Sequence, residues 1–131
     1  MYQTKNVYYK TIFKQDGQTE TVEYKAQGVL CHGEKTQLSF DTQEGTINII
    51  YDEKGVTLNH GQSTLNFDHH KDIWNQYQLP YGSVALKTRL LLFEANEDRI
   101  KMKYELHDQQ GLISTAYILI TLIPLSFQEE L

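Results

Sequence analysis

The side chains best suited to chemistry in this sequence are four histidines, one cysteine and one aspartate within residues 31–70. They are His32, His60, His69, His70, Cys31 and Asp68. A zinc site needs three or four ligands that converge on a tetrahedron, and the chain has neither an HxxxH nor a CxxC spacing. Adjacent His69 and His70 would point to opposite sides of a strand. Both lie beside Asp68 and Lys71, as in a solvated loop, so we predict no metal site and no cofactor.

Nucleophilic and acid–base catalysis have little support in the sequence. Cys31 with His32, or Ser63 with a histidine, could act as nucleophile and base, but neither pair lies in a nucleophile elbow. Cys31 follows apolar residues and is predicted to be a half-buried thiol. The pair Asp52 and Glu53 in "YDEKG" indicates a strand end and a turn, with no sign of the burial that tunes a catalytic carboxylate. No glycine-rich phosphate loop is present. We predict no catalytic residues, so the protein is not expected to be an enzyme.

The composition indicates one globular domain with a preference for β structure. The chain has 131 residues, of which 40% are hydrophobic and 22% are charged, a globular rather than a disordered balance. A single domain over residues 1–131 is expected, and folding can bury roughly two-thirds of its surface. Tyrosine is frequent at 9 residues and proline rare at 2, and aromatic residues favour pleated, half-buried surfaces.

Charge and apolar content argue against several classes of function. The formal net charge of −5 is unsuited to phosphate neutralisation, so no nucleic-acid partner is expected. The opening "MYQTKNVYYK" lacks the apolar core of a secretory signal. No apolar run approaches the ~20 residues of a membrane span. The single cysteine cannot form an internal disulfide. We therefore expect a reducing, cytoplasmic location and no membrane association.

Apolar and polar residues alternate through most of the chain, which predicts eight to ten short antiparallel strands. The clearest hairpin places two apolar sets on one face: Val84, Leu86, Leu90 and Leu92 with Thr88 among them, then Ile100, Met102, Tyr104 and Leu106. Helical periodicity is weak, and its one candidate, "HHKDIWNQY" at 69–77, fits a single turn as well as none. The last strand, "LISTAYILITLI" at 112–123, is apolar on both sides, which predicts a covered outer face.

The "LPYG" segment at 79–82 has two interpretations. Pro80 lacks a backbone donor and Gly82 permits a bend, so the segment fits the corner before a strand. Alternatively, Tyr77 and Tyr81 lie at the rim of a barrel mouth and contact a ligand, because loop residues on a rigid scaffold often carry function. The sequence favours the corner.

An ordered series of motifs runs along nearly the whole chain. The series is "DG" at 16–17, "YDE" at 51–53 followed by "VTLNHG", "LNF" at 65–67, "YQLPYG" at 77–82, "LKT" at 86–88 and "IKMKYEL" at 100–106. In this order the chain resembles the YwiB-like family of uncharacterised bacterial proteins. It departs from the family where Asn59-His60 replace an arginine, where Leu79 replaces a threonine, and at Leu65, where methionine is common. The resemblance implies a calycin-like, lipocalin-like β-barrel of unknown function.

A closed barrel of about eight strands either fills its interior with side chains or holds one small ligand. The predicted inward set is Val7, Tyr9, Phe13, Val22, Tyr24, Ile47, Ile49, Leu58, Leu65, Phe67, Leu86, Leu90, Leu92, Met102, Tyr104 and Leu106. In the hollow case, a small, largely apolar molecule is the expected partner. The candidate ligand-binding residues are Tyr77, Tyr81, Thr88, Met102 and Tyr104. The sequence leaves the hollow and the filled barrel open.

In the filled case, the protein would act through its outer surface. Lys87, Arg89, Lys101, Lys103 and Arg99 share one hairpin face, which could attract an anionic partner. Pairing of Arg89 with Glu105 across the strands explains much of that pattern, so a solvated face is favoured. The outer residues of the last strand are Tyr117, Leu119 and Ile123. They could form a homodimer contact.

Overall fold

The computed structural model describes residues 1–125, and within them the chain forms ten β-strands and no helix. The strands are β1 (Tyr2–Gln15), β2 (Gln18–His32), β3 (Thr36–Thr42), β4 (Gly45–Tyr51), β5 (Gly55–His60), β6 (Ser63–Asp68), β7 (Ile73–Leu79), β8 (Gly82–Ala95), β9 (Arg99–Asp108) and β10 (Gly111–Pro124). The all-β prediction of eight to ten strands is confirmed. The helix candidate at 69–77 is a bend followed by β7. The predicted domain ends at residue 131, and its last six positions lie outside the described residues.

The strands form an antiparallel meander that nearly closes on itself. Their order in the sheet is β6-β5-β4-β3-β2-β1-β10-β9-β8-β7, and each hydrogen-bonded pair is antiparallel. The only neighbours in chain order without a backbone ladder in the described sheet are β6 and β7, which meet at a seam. Closure matters because it removes the exposed strand edges that otherwise invite aggregation.

Side chains replace the missing backbone ladder at the seam. The carboxamide of Asn75 in β7 accepts a hydrogen bond from the backbone N–H of Asn66 in β6 (2.7 Å) and donates to its carbonyl (3.1 Å). The hydroxyl of Thr88 donates to the same carbonyl (2.6 Å). Nearer the β5–β6 turn, the Ser63 hydroxyl donates to the carbonyl of Gln78 (3.1 Å). Asn75 therefore pairs with β6 as a strand backbone would.

Five two-residue turns lie at one end of the barrel, which we call the hairpin end. They join β1 to β2, β3 to β4, β5 to β6, β7 to β8 and β9 to β10. The first is the predicted "DG" turn, with positive φ at both Asp16 (52°) and Gly17 (75°), the geometry that matches the twist of a hairpin. Pro80 and Tyr81 form the turn between β7 and β8. The "LPYG" segment is therefore the corner before a strand, the interpretation that the sequence favoured.

The barrel interior is an apolar core built from alternate residues of every strand. All of the predicted inward set except Val22 and Leu92 pack in or against it. Rings cross the interior: the centroids of Phe67 and Tyr104 are 4.8 Å apart, and those of Tyr9 and Phe40 are 5.5 Å apart. Inward residues of β10, including Ile118 and Ile120, are fully buried. The core therefore fills most of the barrel.

The prediction that Leu92 faces inward is wrong. An irregularity between Leu90 and Leu92 inserts Leu91 into β8, after which Leu92 pairs with Lys103 and Phe93 with Met102. A β-bulge adds one residue to one strand, so it reverses the facing of every residue beyond it. Phe93 consequently packs against the core in the position predicted for Leu92.

Candidate ligand-binding site

A cavity of about 140 Å³ lies inside the barrel at the hairpin end. The strands β1, β4, β5, β6, β7 and β9 each contribute side chains to it. The lining residues are Tyr9, Phe13, Ile47, Leu58, His60, Ser63, Leu65, Tyr77, Tyr104 and Leu106. Several of them stand within three residues of a turn, which places the cavity beneath the mouth of the barrel rather than at its centre.

The wall of the barrel is interrupted at the hairpin end, because β2 pairs with β3 over only part of its length. β2 pairs with β1 from Gln18 to Cys31 but with β3 only over Gly28–His32, so Gln18–Gln27 has a partner strand on one side only. At Gly28 the strands approach closely, since an added Cβ would lie 2.7 Å from a Val7 methyl and 2.8 Å from the Ser39 carbonyl oxygen. Beyond this contact the pairing of β2 with β3 ends, which leaves a gap between the two strands.

Tyr24 and His60 bridge this gap. The Tyr24 hydroxyl donates a hydrogen bond to the Glu44 carboxylate in the β3–β4 turn (2.7 Å). That bond, with desolvation, raises the pKa of Tyr24 to about 12. The His60 ring lies edge-on to Tyr24, with centroids 6.5 Å apart. The His60 Nε2 is buried and has no hydrogen-bond partner in the described part of the chain.

Three tyrosines supply most of the other polar groups of the cavity. Burial raises the pKa of Tyr104 far above its ordinary value, and the nearby Tyr9 and Tyr77 raise it further. Burial likewise raises the pKa of Tyr9, with a smaller opposing contribution from the Thr11 hydroxyl. Tyr104 and Tyr9 are therefore neutral at physiological pH and present O–H groups as donors. Within residues 1–125, no hydrogen bond engages the Tyr104 or Tyr77 hydroxyl.

The structure brings together only two of the five predicted ligand-binding residues. Tyr77 and Tyr104 line the cavity. Tyr81 is 87% exposed in the turn at the same end and does not line it. Thr88 and Met102 are fully buried, but Met102 belongs to the filled core and the Thr88 hydroxyl is engaged at the seam. Tyr81, Thr88 and Met102 therefore do not line this cavity, and a role for them in ligand binding stays a prediction.

Sequence reasoning considered His60 only as a metal ligand and missed its place in the cavity. Two signals could have found it: it follows inward Leu58 by two residues, and it precedes the Gly61 turn. Among the described residues, no group of three or more His, Cys, Asp or Glu side chains could hold a metal ion. Cys31 is a half-buried free thiol, as predicted.

Comparison with known proteins places this barrel in a family. The sequence matches the domain of unknown function DUF1934 over residues 7–120. The chain belongs to this family. The crystal structure of the ywiB protein from Bacillus subtilis is similar, with a TM-score of 0.68, 20% sequence identity and coverage of 92% of each chain. No curated protein matches. The predicted YwiB-like resemblance is confirmed, and at this identity the structural likeness shows the barrel fold alone.

The basic hairpin face of this DUF1934 member points outward, and acidic neighbours offset part of its charge. Arg89 forms two short contacts with Asp72, from Nη2 to Oδ2 (2.8 Å) and from Nε to Oδ1 (3.1 Å), and it faces Glu105 across the strands. This contact lowers the pKa of Asp72. Lys101 stands opposite Glu94. The expected cross-strand pairing of Arg89 is confirmed.

Two lysines of that face have apolar neighbours instead. The Lys87 ammonium lies 5.7 Å from the ring centroid of Trp74, an arrangement favoured by the ring quadrupole. Lys103 pairs with Leu92 and Tyr117 in the sheet. An anionic partner for this face therefore stays a prediction.

Within residues 1–125 there is no helix long and apolar enough to span a membrane.

Proposed function

We propose that this chain is a cytoplasmic, calycin-like barrel that binds a small, largely apolar molecule in the cavity at its hairpin end. The observation that carries the proposal is the cavity itself, about 140 Å³ in volume. A cavity of roughly 150 Å³ lined by apolar side chains accepts benzene in another protein. Apolar side chains form half of the lining here, with a few polar groups among them, as is typical of small-molecule sites. The single cysteine supports the cytoplasmic location.

Binding without catalysis is the proposed mode of action. Among the described residues that line the cavity, the groups able to react are Ser63, His60 and the tyrosines. The Ser63 hydroxyl donates to the backbone of Gln78 at the seam, so it is not held against a base as an activated nucleophile would be. These groups are suited to orienting a ligand by hydrogen bonds.

Native mass spectrometry tests the proposal. Protein purified gently from its own host is expected to carry a non-covalent adduct of small-molecule mass that denaturation removes. A protein that shows only its own mass is then titrated with one-ring compounds while its melting temperature is followed. Absence of both an adduct and any stabilisation would reject the proposal.

A pair of variants ties binding to this cavity. Leu106→Phe adds volume to a half-buried position in the lining and is expected to abolish binding. Leu112→Phe makes the same change at a site 56% exposed near the same end of the barrel, and binding is expected to persist. Equal binding by both variants would place the ligand elsewhere.

The outer surface of β1 and β10 supports a second candidate, an interaction with another copy of the chain. Tyr8 and Ile123 are 42% and 44% exposed and line a surface groove of about 360 Å³ with Lys25. Tyr117 and Leu119, predicted as contact residues, are half-buried on the same outer face. Neighbouring exposed apolar side chains of this kind are frequent at interfaces.

Sedimentation velocity distinguishes this second candidate. A dimer that Ile123→Lys dissociates and Val29→Lys leaves intact would support it, since Val29 is similarly exposed (38%) on β2. A single monomeric species at high concentration would reject it.

A further inference from the structure

The polar groups of the cavity indicate what its ligand is. We infer that the ligand is an uncharged molecule of about one ring that carries a hydrogen-bonding oxygen, with Tyr104 and His60 as its polar partners. This inference rests on the proposed function, because it specifies the occupant of the same cavity.

The first argument concerns charge. None of the described lining residues is Lys, Arg, Asp or Glu. An ionised ligand group would lose its hydration without gaining a counter-ion, which is strongly unfavourable. The charge that does lie near the mouth is negative, since Glu44 accepts the hydrogen bond from Tyr24 beside His60. A carboxylate ligand is therefore disfavoured twice, by desolvation and by repulsion.

The second argument concerns unpartnered polar groups. The Nε2 of His60 is buried in this lining and has no hydrogen-bond partner within residues 1–125. The phenol of Tyr104, which is 4% exposed, lines the same cavity. Buried polar groups in proteins nearly always have partners. A hydroxyl group of a ligand can accept from the phenol and donate to a neutral imidazole nitrogen at once, whereas a hydrocarbon leaves the imidazole nitrogen unpaired.

The third argument concerns size and shape. At about 140 Å³ the cavity accommodates one ring. Its apolar walls come from opposite sides of the barrel, with Ile47 and Leu58 on one and Leu106 on the other. A planar ring with one oxygen substituent satisfies both the walls and the polar groups, so we use phenol as the probe.

Equilibrium binding of phenol, toluene and benzoate at neutral pH tests the inference. Phenol is expected to bind about ten-fold more tightly than toluene, the size of effect that one net hydrogen bond supports, and benzoate is expected not to bind detectably. Tyr104→Phe should remove the preference for phenol and leave toluene binding unchanged. Tyr81→Phe removes an exposed phenol at the same end of the barrel and should change neither. His60→Leu is the second variant, and it too should reduce the preference for phenol.

The outcomes separate this inference from the proposed function. Toluene binding as tightly as phenol, or benzoate binding more tightly than either, would overturn the inference and leave the cavity as a binding site. An unchanged phenol preference in both Tyr104→Phe and His60→Leu would also overturn it. Failure of all three probes, together with a protein free of any native adduct, would reject the proposed function as well.

Discussion

Asn75 is expected to hold the barrel closed. Its side chain, 6% exposed in β7, makes both hydrogen bonds to the Asn66 backbone in β6 and a third to the Thr88 hydroxyl (3.3 Å). Asn75→Ala removes all three at once. Because the described sheet has no backbone ladder between β6 and β7, no neighbouring ladder bond can take over.

The size of the effect follows from those three contacts. A typical intramolecular hydrogen bond contributes about 0.5–1.5 kcal/mol to stability, so their combined loss is about 3 kcal/mol. Unfolding entropy is roughly 2.1 cal/mol/K per residue, and for 131 residues such a loss lowers the Tm by about 10 °C.

Thermal and urea unfolding followed by circular dichroism measure this change. Gln76→Ala is the matched control, since Gln76 is the next residue in β7, is exposed, and makes one long contact among the described residues, to the Ser83 hydroxyl (3.4 Å). Its expected cost is below about 0.5 kcal/mol. Hydrogen exchange adds a local readout, because the Asn66 amide should lose protection in Asn75→Ala. Equal stabilities for the two alanine variants, or an Asn66 amide that stays protected, would refute the role of Asn75 at the seam.

Three further changes probe other parts of the barrel. Gly28→Ala should destabilise by about 1–3 kcal/mol, because its Cβ meets a methyl group at 2.7 Å and a backbone oxygen at 2.8 Å, whereas Gly33→Ala, with 3.6 Å to its nearest atom, should change stability little in denaturant titrations. Phe93→Ala should cost about 2–3 kcal/mol and Leu92→Ala less than about 1; the reverse order would contradict the bulge. The Tyr24 pKa is raised from 10 to about 12, so its contribution is complete below pH 10 and is lost as pH rises from 10 to about 12. The difference in stability between the wild type and Tyr24→Phe should shrink over that window and stay constant from pH 7 to 9.

Alternation of residue types was sufficient to predict most strands and their inward faces. It succeeded for β9, where Met102 and Tyr104 alternate with lysines and both are buried. It failed at Leu92, because a bulge depends on how two strands pair and leaves no mark on the period of one strand.

The candidate site was less predictable for a physical reason. Alternation correctly predicted that Tyr104 faces the barrel interior. It does not show how deep along the barrel axis a residue lies, so it could not separate Tyr104, which lines the cavity, from Met102, which lies in the filled core. The contact between β6 and β7 could not be predicted either, because these strands lie at opposite ends of the sheet order and Asn75 bonds to β6 only when the barrel closes. The sequence hint for it was an asparagine at an inward position of β7.

The position of the cavity follows from the lengths and pairings of the strands. β5 and β6 have six residues each, and their turn begins at Gly61, whereas β1 and β2 have 14 and 15 residues. Phe67 and other large rings pack in the interior, and the cavity lies beside the ends of the short strands β5 and β6. The contacts of Tyr24 with Glu44 and His60 span that opening. The polar groups of the cavity, including the unpartnered Nε2 of His60, therefore lie beside this opening. The binding site is expected there and not in the centre of the barrel.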